Sequence, residues 1–199
     1  MAIRYKIITT KDATATPDAS KVVIADASGK VDGWVSAATD TVAGKVELAT
    51  TAETTTGQDY VRAVTPLGLS ASNFGKRIIM IPVIDNATAL TTGDGKWIFP
   101  IPQELNGMFL IAAHAYVDTV SSSGTPTIQI RNVTDSVDML STRITIDASE
   151  FTSYTAATAP VIDTNNNQVA TADRIAIDVD VAGTGTKGLQ VILTFQLAT

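Results

Sequence analysis

The stretch "RIAIDVDVAGTGTKGLQVILTFQL", Arg174 to Leu197, decides the fold class. Its first half places Ile175, Ile177, Val179 and Val181 at every second position, with Asp178 and Asp180 between them. Its second half repeats the period with Leu189, Val191, Leu193, Phe195 and Leu197. Successive side chains of an extended chain point to opposite faces, so each half predicts a strand with one apolar and one wet face. The Gly-rich "GTGTKG" (183–188) between them reads as the turn of a β-hairpin.

Working back toward the N-terminus, the same signal returns in "RIIMIPVID" (77–85), "GKWIFPI" (95–101), "FLIAAHAYVD" (109–118), "TPTIQIRNV" (125–133), "STRITID" (141–147) and "PVID" (160–163). About seven or eight short strands bounded by turn residues predict a mostly β head over residues 78–199, an antiparallel β-sandwich with a jelly-roll-like winding. "IPQELNGM" (101–108) and "SVDML" (136–140) read as helical turns, and "DTNNNQ" (163–168) as an Asn-rich turn. The loops "TVSSSGTP" (119–126) and "EFTSYTAATAP" (150–160) are long and rich in Ser and Thr.

Residues 1–77 differ in character. "TKDATATPDASK" (10–21) is small, polar and linker-like, and "KVVIADASGKVDGWVS" (21–36) holds two short apolar runs around a Ser-Gly turn. This part carries 9 Lys/Arg against 8 Asp/Glu, whereas residues 78–199 carry 5 against 12. An acidic head repels phosphate backbones, so nucleic acid is not an expected partner. The apolar runs, such as "IIMIPVI" (78–84), are too short to span a bilayer, and the start "MAIRYKIITTKDATATPD" lacks the apolar centre of a signal peptide. The expectation is synthesis in the cytoplasm with no membrane insertion.

Chemistry-bearing residues are few. There is no Cys, which removes disulfides and thiolate metal sites, and His114 is the single His, which removes multi-imidazole zinc sites. Gly183, Gly185 and Gly188 spell G-x-G-x-x-G, but a dinucleotide site requires a helix to follow and a strand follows here. Asp94 between two glycines in "TTGDGKW" (91–97) reads as a turn rather than a calcium loop. Asp178 and Asp180 share a strand face, as a glycosidase pair would, and equally as the solvent face of an amphipathic strand would. His114 falls on the face of Leu110, Ala112 and Tyr116. No catalytic residue, metal or cofactor is expected, and the chain reads as a non-enzyme. Tyr154 with Asn165, Asn166 and Asn167 are the candidate sugar contacts, through ring stacking and amide hydrogen bonds from loops on a rigid sandwich.

"GKVELATTAETTTGQDYVRAVTPLGL" (44–69) is a chain of local stops. Val46 and Leu48 flank Glu47 as a minimal strand; Thr50 and Glu53 have capping-box spacing for a helix over 51–56, and Gly57 stands where that helix would end. Thr65 and Pro66 open a second helix, continuing through "LGLSASNFG" to about Gly75. Val46, Leu48, Val64, Leu67 and Leu69 are too few to close a core and need a neighbouring surface, most simply another copy of the chain.

"VAGKVELATTAETTTGQDYVRAVTPLGL" (42–69) resembles the phage tail-fibre repeat, A-G-x-V-x-L-A-T, then A-E, G-x-D, R-A-V-T-P and a final apolar pair. Here these are Ala43, Gly44, Val46, Leu48, Ala49, Thr50, then Ala52, Glu53, Gly57, Asp59, Arg62 to Pro66, and Leu67 with Leu69. Tyr60 departs from the pattern, which usually has a small polar residue there. "SNFGKR", "ALTTGDGKWIFPIPQELNGMFLIAAHAYV", "IQIRNVTDSVDMLSTRITID" and "KGLQVILTF" are similar to a C-terminal head module of phage fibre and receptor-binding proteins. The resemblance implies a homotrimeric virion fibre. Residues 1–40 would anchor it to other virion proteins, 41–77 would form the neck, and 78–199 would form heads that meet a host cell-surface glycan or protein. It also implies a trimer contact through Val46, Leu48, Tyr60, Val64, Pro66, Leu67 and Leu69. The same resemblance equally supports the alternative of a purely structural virion component, such as a head fibre, decoration or adaptor protein.

Overall fold

The computed structural model describes residues 13–14, 22–23 and 45–197. The chain divides into two compact units, Met1–Thr65 and Pro66–Thr199. The division falls inside the expected 41–77 neck. Most of the expected 1–40 anchor lies outside the described residues.

In the first unit, β1 (Ala13–Thr14) and β2 (Val22–Val23) pair in parallel. Further on, α1 (Thr51–Thr56) is bounded as its sequence dictates. The Thr50 hydroxyl accepts from the Glu53 N–H at 3.2 Å, the Glu53 carboxylate accepts from the Thr50 N–H at 2.9 Å, and Gly57 ends the helix in the left-handed region at φ 65°. Leu48 and Ala63 form a parallel bridge, with Ala49 N–H on Ala63 O and Ala63 N–H on Glu47 O, each at 2.9 Å.

The second unit opens with α2 (Pro66–Ala71) and a 3-10 turn, Asn73–Gly75. The expected single helix breaks at Ser72, whose side chain donates to Leu69 O at 2.7 Å and accepts from Phe74 N–H at 3.2 Å. A Cβ on Gly75 would collide with the Ser70 carbonyl, so only glycine fits this corner.

The strands that follow are β3 (Arg77–Ala89), β4 (Gly93–Pro100), β5 (Phe109–Tyr116), β6 (Thr127–Asn132), β7 (Val137–Asp138), β8 (Leu140–Thr142), β9 (Ile144–Thr145), β10 (Val161–Ile162), β11 (Arg174–Val181) and β12 (Lys187–Gln196). Two antiparallel sheets form the sandwich. One has the order β3-β12-β5; the other has β4-β11-β6-β7, with β9 also on β6, and β8 pairs with β10 apart from both. From β3 to β6 successive strands pass from one sheet to the other, the winding of a jelly roll. Ile81, Val83, Ala113, Ala115, Leu189, Val191, Leu193 and Phe195 from the first sheet meet Ile128, Ile130, Ile175, Ile177 and Val179 from the second in one buried core.

Three expectations are corrected. β11 and β12 do not form a hairpin: β11 pairs with β4 and β6, and β12 with β3 and β5. "GTGTKG" is therefore a crossover between sheets, held by loop 119–126 through Thr184 N–H on Ser123 O and Ser122 N–H on Thr184 O, both 2.9 Å. Both edges of each strand are already occupied, β11 by β4 and β6 and β12 by β3 and β5, so no edge is left for the two to pair with each other. "SVDML" contributes β7 and the start of β8 rather than a helical turn, because Arg131 and Asn132 pair with Asp138 and Val137. Finally, Leu110 does not share the face of His114. The register shifts between Thr194 and Phe195, placing Ile111 outside the ladder, so Leu110 joins Ala113 and Ala115 in the core while Ala112, His114 and Tyr116 face outward.

Candidate interaction surfaces

The polar letters of the 42–69 repeat are consumed locally. Arg62 reaches Glu47 at 3.2 Å, Glu53 at 3.1 Å and Asp59 at 2.5 Å, and Asp59 also accepts the N–H groups of Val61 and Arg62. The Val61 N–H first, then the Arg62 side chain, hold the Asp59 carboxyl below the usual carboxylate range; the Thr50 N–H and hydroxyl do the same for Glu53. With these groups paired to one another, the apolar letters have nothing to rest on. Val46, Leu48, Val61 and Val64 are exposed, and Tyr60 is 94% exposed. Between residues 45 and 65 the single buried residue is Thr54. In the second unit Pro66, Leu67 and Leu69 are exposed as well.

The two outer faces of the sandwich differ in kind. On the β4-β11-β6 side Asp178 is buried and takes both Nε and Nη2 of Arg131, at 2.7 and 3.1 Å, and the Gly95 N–H at 2.5 Å. Asp180 pairs with Arg143 at 2.5 Å. Asp178 thus does not face solvent, and the two carboxylates are each held by their own arginine. Three donors, two from one guanidinium and one from the backbone, hold the buried Asp178 carboxylate in the fold. On the β3-β12-β5 side the outward positions are Ile78, Met80 and Pro82 on β3, opposite Thr194, Ile192 and Gln190 on β12. Beyond these lie Ala112, His114 and Tyr116 on β5. None of the nine carries a formal acid or a Lys/Arg cation.

Two stacked aromatic pairs cover the β5 end of that face. His114 stacks on Tyr154 with ring centroids 3.9 Å apart, and Tyr116 on Phe151 at 6.0 Å. Ser153, buried on the 3-10 turn Ser153–Thr155, accepts the Ala115 N–H at 2.9 Å and lies 3.4 Å from His114 Nδ1. Burial pushes the His114 pKa below the ordinary imidazole value, so the ring is neutral at pH 7. Tyr154 leaves much of its ring in solvent, at 63% exposed. The spacing of Phe151 and Tyr154 in their loop was the signal for this pairing, but their partners on β5 lie far away in sequence.

The asparagines lie elsewhere. A cleft of about 520 Å³ is lined by Asn106, Asp135, Asn165, Asn166, Gln168 and Asp173, among others, and Tyr154 is not part of it. Asp163 organises its rim by accepting the Asn165 N–H at 3.0 Å and the Asn166 side chain at 2.7 Å, and the Asn165 N–H leads in keeping the Asp163 carboxyl below its usual range. Buried Asn132 ties the floor together, donating to Asp135 at 2.8 Å and to Asp173 at 3.0 Å. Asn167 serves the fold: it is buried and donates to Leu110 O at 2.9 Å. Gly183, Gly185 and Gly188 all take positive φ in the crossover, and a Cβ on Gly188 would collide with the Asp118 carboxylate.

Among the described residues no group of three or more His, Asp or Glu side chains is placed to hold a metal ion, and no helix is long and apolar enough to cross a membrane. No protein-family model matches the chain, and no curated protein matches it. Among solved structures the chain is similar to one described as the cyanophage Pam1 capsid asymmetric unit. The two share 17% identity and a TM-score of 0.32, over 71% of this chain and 96% of that one. A likeness of that size carries no inference about function.

Proposed function

We propose that the chain is a non-enzymatic phage virion fibre protein. Three copies join through the 44–69 segment, the N-terminal side attaches to other virion proteins, and the sandwich offers its loops to a host cell-surface glycan or protein. One observation carries this reading: the repeat-like segment satisfies its polar residues internally and leaves its apolar residues exposed. Apolar side chains so placed gain stability by packing against a further surface, most simply another copy of the chain. A second reading, a structural virion component without host binding, is favoured by the receptor-contact candidates. Asn167 is spent on Leu110, and one ring face of Tyr154 on His114.

Light scattering on the full chain at micromolar concentration is expected to give a trimer, and a monomer would contradict both readings. A glycan array and intact bacterial cells separate them. Retained binding that falls about tenfold in Tyr154→Ala or Asn165→Ala supports host recognition. Binding to purified particles alone supports the structural role, and release of sugar from a cell-surface polysaccharide would overturn both.

A further inference from the structure

We propose that the uncharged outer face of the β3-β12-β5 sheet, extended by α2, is a second contact between copies of this chain, formed by the sandwich itself. It rests on the assembly just proposed and adds an interface to it.

The sequence places the apolar residues and the fold leaves them open. Ile78 and Met80 alternate outward along β3 and are each 64% exposed. Gln196, also outward on β12, donates its amide to Ser70 O at 2.6 Å and Ser72 O at 3.2 Å, which fixes the end of α2 over the same face. Leu67, Leu69 and Phe74 around that anchor are exposed, and Ile192 beside Met80 is half-buried. Together with Leu67 and Leu69, which continue the 44–69 contact into this face, the exposed groups present on the order of 600 Å² of apolar surface, the upper end of what a monomer leaves bare.

Charge selects the occupant. The chain carries a net charge of −6, so copies can meet only where those charges are absent or neutralised. The nine outward positions of β3, β12 and β5 offer no charge to be repelled, whereas on the β4-β11-β6 side a second copy would have to desolvate the half-exposed Asp180–Arg143 pair. Lys76 and the exposed Arg77 border the patch beside Phe74, bonded to Asn73 and to the Phe74 and Lys76 carbonyls, but a chain of net charge −6 is repelled by an anionic lipid surface, and two cations at one end leave the rest of the face without charge to recognise. A second copy satisfies the face on apolar contact alone.

The test uses the full chain. Ile78→Lys and Met80→Lys, each buried only in the assembly, are expected to weaken self-association by about 30-fold or more in sedimentation velocity, with Ser141→Lys, exposed on β8 outside both main sheets, as the charge control. Thermal unfolding reports whether each variant folds. Because the protein has no Cys, Met80→Cys supplies a reading independent of added charge. Its thiol is expected to be protected from maleimide in the assembled protein and to react freely after dilution to monomer. Equal reactivity in both states, or unchanged association of the Lys variants while Val46→Lys and Leu48→Lys dissociate, would overturn the second interface and leave the fibre reading standing. A wild-type chain that stays monomeric at high concentration would remove both.

Discussion

Asp178 shows how far one residue's role depends on groups distant in sequence. Alternation along "RIAIDVDVA" gives its parity, opposite to Ile177 and Val179, and that parity holds. What alternation cannot give is the cover over that side of the sheet: Arg131 comes from β6, 47 positions away, and the Gly95 N–H from β4, 83 away. Once these converge, the carboxylate is buried and paired instead of wet. Asp178→Asn would keep the shape but leave Arg131 facing a neutral amide; because the guanidinium is partly solvated, the expected loss is about 2 kcal/mol, read by urea denaturation. Asp180→Asn, at a half-exposed pair, is expected to change stability by less than about 1 kcal/mol in the same assay. His114 teaches the same point through the backbone, since the displaced Ile111 that separates it from Leu110 leaves no mark in the residue pattern.

At the scale of elements, legibility tracks the reach of the interaction. The capping box at Thr50 and Glu53, the Gly57 stop, the Pro66 start and the Asp163 turn are all closed by partners within four residues, and all are readable from the sequence. The glycine turn 183–188 is equally local in its dihedrals, but a tight turn serves a hairpin or a passage between sheets alike. The choice belongs to β4, β6, β3 and β5. The 45–65 segment yields a prediction at this level. Arg62→Ala removes the centre of the ion cluster and is expected to release the Leu48–Ala63 bridge, seen as faster hydrogen exchange at the Ala49 and Ala63 amides. Acid should act in the same direction. The Glu53 and Asp59 carboxyls lie below their usual range when folded, so their contribution is complete above that range and disappears as pH falls through the folded values, below about pH 4. Exchange at the same two amides, followed from pH 6 to pH 3, checks it.

At the scale of the whole molecule, the alternation marks the strands after residue 77 as β and leaves the asymmetry of the sandwich hidden. Each strand pattern displays its own inward residues, but whether the outward residues of three strands add up to one uncharged face depends on which strands are neighbours. β3 and β5, separated by β4 in the chain, become the two flanks of β12. A chain stopped at Gly185 is therefore expected to lose both flanks at once and to show no cooperative thermal transition for residues 66–199, monitored by far-ultraviolet circular dichroism.

The position of β12 also sets a timetable. The strand that both flanks of its sheet require leaves the ribosome after each of them, and it must find β3 across roughly a hundred intervening residues. Until it arrives, β3 and β5 present open edges. Folding of this sheet then waits for β12 and has high contact order, in the millisecond-to-second range typical of such β topologies. A nascent head would spend that interval with its stickiest strand, "RIIMIPVID", unprotected. The cell's chaperones, as much as the finished fold, would determine how many copies mature.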